Sequence, residues 1–502
     1  MMLLNKIKLV FIVFNLLTTS IALGQEGANI NFQKEAKQHF EKTINKLGIP
    51  GFAVIVTQGN ETILKEGYGY ADFENQLIAN SNTSYYIASA TKSFTALLAV
   101  IMNDEGILKL DDPLKKYFPD LEIDYNLNLA NIKVRDLLTH TSGLENDPIG
   151  WRVAFSGEHD QSTLLELMRY SKSNKTGYGN YEYTNIGYNI YAIILEKITD
   201  KSWQNWMQEK IFDPAGMNHT TAFISRAEKE KWLLARPYIV LDSVSRITLE
   251  KKDNTMHAAG GLIITPDDMA KWLKIQVGKG KLNGKQIFPE IMMLSSQKEL
   301  VNISESERLF QPTGYGFGWL HGNYEGNKVI HHFGGFAGFS THVSFMPDKQ
   351  IGVAVIANEA VAGNKLMHLI ATFIYDYLLE KKGWDDYDKE INTFTERLNQ
   401  GRKMINASIV ERNNRPRMLS LPLSDYSGSY ESDEYGILTV QETPSALKVS
   451  IGNLQCVSTP FKNKESIRVE LIPGSGQIIQ FFIENNKISN LKYDGINFKK
   501  IK

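Results

Sequence analysis

The stretch "YYIASATKSFTALLAV", Tyr85 to Val100, sets a serine and a lysine three positions apart, Ser89 and Lys92, at the head of an apolar run. Residues at i and i+3 lie on one helix face, so both side chains point the same way. Phe94, Leu97 and Leu98 follow directly, and a lysine among such residues needs a reason to be there. A serine hydroxyl is a poor nucleophile until a base stands beside it, and a lysine serves once burial or neighbouring charge lowers its pKa. The N-terminus of the helix adds backbone N–H groups that favour developing negative charge. Ser-x-x-Lys alone is a weak signal. The apolar setting is what marks this one.

Around that helix, expected over Ser93–Glu105 and closed by Gly106, the chain alternates sheet and helix signals. An amphipathic helix is expected from Phe32 to Leu47. Phe52–Thr57 and Thr62–Tyr70 flank Gly59-Asn60 and read as a hairpin. Phe339–Met346 and Ile351–Ala357, around Pro347 to Gln350, read as a second hairpin, with a helix from about Lys365 to Glu380. Sheet pieces at both ends of a helix-rich middle predict an α/β (α+β) architecture. An antiparallel sheet is flanked by helices, and a helical lobe leaves a cleft beside it. After Asp425 the texture changes to short β-rich runs, such as Ile437–Glu442, Ala446–Ile451, Ile478–Ile483 and Ile488–Tyr493. Their spacing predicts an all-β barrel or sandwich. The expected division is a signal segment 1–24, a catalytic domain 25–383, a helical linker 384–424 and a small β-domain 425–502.

Five further blocks accompany the serine motif: "LLTHTSGL" (Leu137–Leu144), "YTNIGY" (Tyr183–Tyr188), "AAGGLIITPDDMAKW" (Ala258–Trp272), "YGFGW" (Tyr315–Trp319) and "HHFGGFAGFSTHVSFMPDKQIGVAVIAN" (His331–Asn358). In this order, across roughly residues 30 to 380, the chain resembles the class C β-lactamase and penicillin-binding-protein family of active-site serine hydrolases. The resemblance implies a β-lactamase/transpeptidase-like fold. It makes Ser89 the acylated nucleophile and Lys92 its proton partner. Tyr183 becomes the general acid or base, and Asn185 the residue that orients Lys92 and the substrate amide. It also implies a triplet of Lys-Thr-Gly or His-x-Gly type on an edge strand. His332-Phe333-Gly334 fills that place, and the Gly335 N–H joins that of Ser89 in an oxyanion hole.

A literal Lys175-Thr176-Gly177 also occurs, but it precedes the tyrosine motif and lacks a strand-like run after it. It is read as an accident of a loop. The family's Lys and Thr bind the carboxylate that β-lactams carry. His332 and Phe333 stand in their places, a pattern similar to that of D-aminopeptidases and esterases. A part-cationic His332 is expected to hydrogen-bond there, whereas the Phe333 side chain has nothing to donate. His140 reads as structural. His331 and His332, adjacent on a strand, point to opposite faces rather than to one metal. No metal-ligand spacing such as His-Glu-x-x-His is present, and no cofactor is expected. Gly260, Gly261 and Gly338 are read as backbone constraints, not as a phosphate loop.

Charge and composition bound the rest. With 55 basic and 56 acidic residues among 502, no basic excess points to nucleic acid. Cys456 is the sole cysteine, so no intramolecular disulfide forms. Lys6 and Lys8, the apolar run Leu9–Leu17 and Ala22-Leu23-Gly24 resemble a secretory signal. The expectation is export to the periplasm or medium, without stable membrane insertion after cleavage. The expected partner is a small-molecule or peptide substrate, namely a D-amino-acid peptide, a β-lactam or a small ester. A non-turnover penicillin-binding sensor or a binding scaffold is the alternative.

Overall fold

The computed structural model describes residues 30–303 and 309–501, so the expected signal segment lies outside the described residues. The strand Gly51–Gln58, "GFAVIVTQ", is buried nearly throughout, as its unbroken apolar run requires. It lies between Glu61–Asp72 and Ile351–Ala357 and pairs antiparallel with both, Val54 facing Val355 on one side and Glu66 on the other. The start and the end of the domain thus meet in the middle of one nine-stranded sheet. Outward from Ile351–Ala357 it continues through Phe339–Met346, Asn327–Phe336, Leu320–Tyr324 and Pro312–Tyr315.

The period of two along the strand sorts side chains onto two cores. Ala53 and Ile55 face the serine helix, Thr91–Asp104, the helix Pro266–Val277 and the helical lobe. Phe52, Val54 and Val56 face the opposite layer, built from a helix over residues 30–47, the helix Gly363–Leu378 and the long helix Trp384–Asn413. In that layer Trp384, Tyr387, Ile391 and Leu398 of the long helix pack on Phe40 and Phe373, and Arg402 donates to the Leu47 carbonyl at 2.8 Å. The sequence marks this segment as a linker. Its first turns are part of the core behind the sheet.

From Gly428 onward nine antiparallel strands form a nearly closed barrel, which decides between the barrel and the sandwich left open by the strand pattern. Its first strand, Gly428–Ser432, pairs with its last, Ile496–Lys500. Alternate residues fill the interior, among them Leu438, Val440, Val449, Ile479, Phe481 and Phe498. The barrel does not hang free: Trp151, Ile247 and Leu249 of the catalytic domain belong to the same apolar cluster. Arg152 donates from Nε to the Glu434 carbonyl at 2.9 Å, and the Asn453 N–H donates to the Ser156 carbonyl at 2.8 Å. Cys456 is a free thiol on the strand Leu454–Val457.

Candidate active site

Ser89 occupies a single 3-10 turn, Ala88–Ala90, that leads into the serine helix. Ala88, directly before it, has φ of 45°, a left-handed conformation that a residue with a Cβ adopts only under constraint. The turn leaves the Ser89 N–H in the first positions of a helical segment, where backbone donors lack intrahelical partners. One turn on, Lys92 is fully buried. Its Nζ lies 3.1 Å from Ser89 Oγ and donates to Asn185 Oδ1 at 2.7 Å and to the Ala259 carbonyl at 2.8 Å. Burial holds its pKa well below that of an ordinary lysine. A neutral amine has two N–H bonds and one lone pair. Two fixed acceptors take the N–H bonds, so the lone pair is left for the Ser89 hydroxyl.

The segment Ala258–Leu262 that supplies the Ala259 carbonyl is laced to the serine helix. Thr95 donates to the Ala258 carbonyl at 2.8 Å, and the Leu262 N–H donates to Thr91 Oγ1 at 3.2 Å. Gly261 is needed there, since a Cβ would sit 2.1 Å from the His257 nitrogen. This accounts for the second glycine of "AAGGL", whereas a Cβ at Gly260 would meet nothing nearer than 3.4 Å. The contribution of Ala259 is invisible to side-chain reasoning, because it is made by main chain.

Tyr183 and Asn185 arrive on the loop that starts the helix Ile186–Thr199. Lys92 Nζ sits 4.9 Å from the Tyr183 ring centroid, and Tyr183 is 40% exposed, which leaves it facing the cleft. His140 holds this loop from beneath. Its Nδ1 accepts from the Thr184 N–H at 3.3 Å, its carbonyl accepts from the Glu182 N–H at 2.9 Å, and its ring lies 4.5 Å from that of Tyr183. Burial, with Lys92 and His332 nearby, keeps its pKa well below the usual histidine value. The expected structural role of His140 thus takes a specific form: it positions the tyrosine motif.

The strand Asn327–Phe336 supplies the third wall. Its pairing with Leu320–Tyr324 stops at His331, so residues 332–336 pair only with Phe339–Met346 and have a free backbone edge. A Cβ at Gly334 would meet the Ile87 carbonyl at 2.1 Å and the Ser89 nitrogen at 3.2 Å, so glycine alone permits this approach to the serine turn. Nothing lies within 4 Å of a Cβ at Gly335, which is exposed. His332 is buried, its ring 6.0 Å from that of Tyr183. Nδ1 donates to the Phe333 carbonyl at 2.8 Å, and the Tyr315 hydroxyl lies 3.4 Å from Nε2. Burial, with Lys92 adding to it, pushes the His332 pKa down to about 3. The part-cationic histidine expected from sequence is therefore a neutral one.

Phe333 does not face the site. It stacks on His331 at 4.7 Å and packs against His342 and His368 in the opposite layer, as the alternation of a strand demands. Lys175 points to solvent and pairs with Glu182 at 3.8 Å. Thr176 donates to its neighbour Asn174. The literal Lys-Thr-Gly is thus a surface turn. Among the described residues no group of histidine, cysteine, aspartate or glutamate side chains is arranged to hold a metal ion.

Known proteins resemble this chain in sequence and in fold. The family model for beta-lactamase matches residues 36–371. Protein flp of Staphylococcus aureus (strain N315) is 26% identical over 328 residues, which are 65% of this chain and 63% of that protein. The chain therefore matches under two thirds of the length of that relative. Among solved structures, the octameric penicillin-binding protein homologue from Pyrococcus abyssi superposes with a TM-score of 0.57 at 22% identity, over 91% of this chain and 98% of that one. The D-amino acid amidase from Ochrobactrum anthropi SV3 gives a TM-score of 0.56 at 20% identity, covering 70% of this chain and 99% of the amidase. The match of the amidase stops short of the whole chain, whereas that of the Pyrococcus protein takes in nearly all of it. With its motifs in order and the family model spanning most of its length, the chain belongs to the beta-lactamase family of serine hydrolases.

Proposed function

We propose that the protein hydrolyses an amide or ester through an acyl-enzyme on Ser89, and that it does so outside the cytoplasm. The observation that carries this reading is the Lys92 amine, 3.1 Å from Ser89 Oγ with both its N–H bonds engaged elsewhere. As Oγ attacks the substrate carbonyl, the hydroxyl proton moves to the Lys92 lone pair. The tetrahedral oxyanion takes hydrogen bonds from the N–H groups of Ser89 and Gly335. Tyr183 relays a proton to the departing nitrogen or oxygen, and water then attacks the ester on Ser89 with the same groups run in reverse. The exposure of Tyr183 gives water a path to that ester, which favours turnover over a stalled sensor.

A β-lactam is a weaker fit than an uncharged amide or ester. His332 is neutral and Phe333 faces away, so residues 332–336 present no fixed positive charge to a carboxylate. The relatives support the same range in part, since one structural neighbour is a D-amino acid amidase. Export rests on the basic, apolar and small-residue succession from Lys6 to Gly24. The deciding experiment offers purified protein a panel of β-lactams, D-alanyl peptides, amino-acid amides and short esters, with Ser89→Ala as the blank. Steady product release that disappears in Ser89→Ala is expected. Release that survives in Ser89→Ala overturns the reading, and labelling of Ser89 without release turns it into the sensor.

A further inference from the structure

Asn189 needs a reason for its place. It lies one turn beyond Asn185 on the helix Ile186–Thr199, 3% exposed, and Ile186, Ile190 and Ile193 are buried with it. Asparagine is a poor helix former, and a buried amide costs stability unless it is hydrogen-bonded. Its Oδ1 accepts from His257 Nδ1 at 2.9 Å, across 68 positions of sequence. Oδ1 has no proton to give, so Nδ1 carries the hydrogen. Burial, with Lys251 and Lys92 nearby, holds the His257 pKa well below the usual histidine value, and the ring is a neutral donor.

His257 opens the turn that serves Lys92. The Gly260 N–H donates to the His257 carbonyl at 3.0 Å, which makes Ala258 and Ala259 the central residues of a β-turn. The Ala259 carbonyl accepts from Lys92, and the second acceptor is Asn185, whose own carbonyl takes the Asn189 N–H at 3.3 Å. The contacts close a ring that runs from Lys92 to Asn185, Asn189, His257 and Ala259 and back to Lys92. Thr95 and Leu262 tie the turn to the serine helix, whereas His257 ties it to the helix that begins after Asn185. A cavity of about 80 Å³ borders the pair, with Asn189, His257 and Ala258 among its walls. It has room for about two waters, and opening the pair brings that space to the residue beside Ala259.

We propose that His257 is a positioning residue for the Ser89 nucleophile: through Asn189 it holds both acceptors of Lys92 in register and keeps the lysine lone pair aimed at the serine hydroxyl. This role rests on the acyl-enzyme reading of Ser89 and adds to it the residues that set its base. Lys92 presents its lone pair to Oγ only while both N–H bonds are taken elsewhere. If either acceptor drifts, an N–H turns toward Oγ or water enters, and the ammonium form gains. The other titratable groups around Lys92 are His140 and His332, both held neutral by burial, and Tyr183 and Tyr188. Around His257 stand Lys251 and His159, with Glu196 and Asp253 on the adjoining cavity. Of these, Lys251, pushed down by burial to about 7, titrates near neutral pH and calls for a control.

The test follows the rate at which a fluorophosphonate labels Ser89 in the full-length protein, from about pH 5 to 9. Oγ displaces fluoride from phosphorus and its proton passes to Lys92, so the rate reads the base without the natural substrate. His257→Leu and Asn189→Ala, alanine being well suited to a helix, are each expected to slow labelling at pH 7 about tenfold and to move the acid limb up by about one pH unit. The limb is expected to move equally when Lys251→Met is added to His257→Leu. His257→Asn, whose amide N–H stands in for Nδ1–H, is expected to label within about threefold of the native rate. A thermal melt of each variant shows whether its fold is kept. An acid limb unmoved in a folded His257→Leu or Asn189→Ala protein, a shift that vanishes with Lys251→Met, or labelling as slow in His257→Asn as in His257→Leu overturns the proposal. Failure of the acyl-enzyme reading shows up separately, as labelling that persists in Ser89→Ala or is absent from the native protein.

Discussion

Asn185 accepts a hydrogen bond from Lys92 at 2.7 Å across 93 positions of sequence, and it does so as an uncharged amide. A carboxylate in its place would favour the ammonium form of the lysine and remove the lone pair from Ser89.

Asn185→Asp is therefore expected to raise the pKa of Lys92 by roughly one to three pH units. Activity at pH 7 falls roughly ten- to hundredfold and recovers as the pH rises. A pH profile of kcat/KM decides, and an unshifted acid limb would mean that Lys92 is not the base.

Gly334→Ala places a methyl 2.1 Å from the Ile87 carbonyl and forces the edge strand away from the serine turn. We expect a loss of about 1–3 kcal/mol in stability and a far larger loss of kcat/KM, because the displaced groups are those beside Ser89. Denaturant unfolding and kinetics on the same preparation separate the two effects. Activity that falls no further than stability predicts would show that the approach matters only for packing.

His332 yields a prediction for acid stability. Its folded pKa, about 3, lies below the unfolded value, so between these pH values the unfolded chain binds the extra proton. Stability from this site is complete above about pH 6.5 and is lost on acidification, by up to about 1.4 kcal/mol per pH unit toward pH 3. His140 and His257, also held low by burial, add to the same slope. His332→Gln should flatten the fall of Tm between pH 6.5 and 4 while lowering activity. An equal fall in both proteins would refute the assignment.

Lys175→Ala should leave turnover and melting almost untouched, within about 0.5 kcal/mol, because its pair with Glu182 is an exposed one. A large loss of activity in this variant would restore the surface Lys-Thr-Gly as a functional triplet.

Much of the site was legible because its side chains follow periodic rules. Ser89 and Lys92 meet through helical spacing, and the order of the motifs singled out His332 over Lys175. The alternation of a strand, applied to His331 and His332, holds equally for Phe333, which sequence comparison had set in the substrate's path. What was not legible depends on tertiary burial or on main chain. The Ala259 carbonyl has no side-chain signature. The neutrality of His332 depends on how completely its surroundings exclude water. The barrel was visible as a succession of short strands, but its docking on the catalytic domain, through Trp151 and Arg152, is announced by no local pattern. The long helix from Trp384 looked like a connector because its charged face dominates its composition, while one stripe of apolar residues joins the core.

The pairing of Gly51–Gln58 with Ile351–Ala357, and of the first barrel strand with the last, bears on how the chain comes to life on the ribosome. The strand Gly51–Gln58 waits for a neighbour some three hundred residues later, and the barrel closes only once Ile496–Lys500 has been made. Contacts so distant in sequence form slowly and late. The groups around Ser89 therefore come together only once Ile351–Ala357 has been made, so a chain shorter than that has no working nucleophile to turn loose on the cell that makes it.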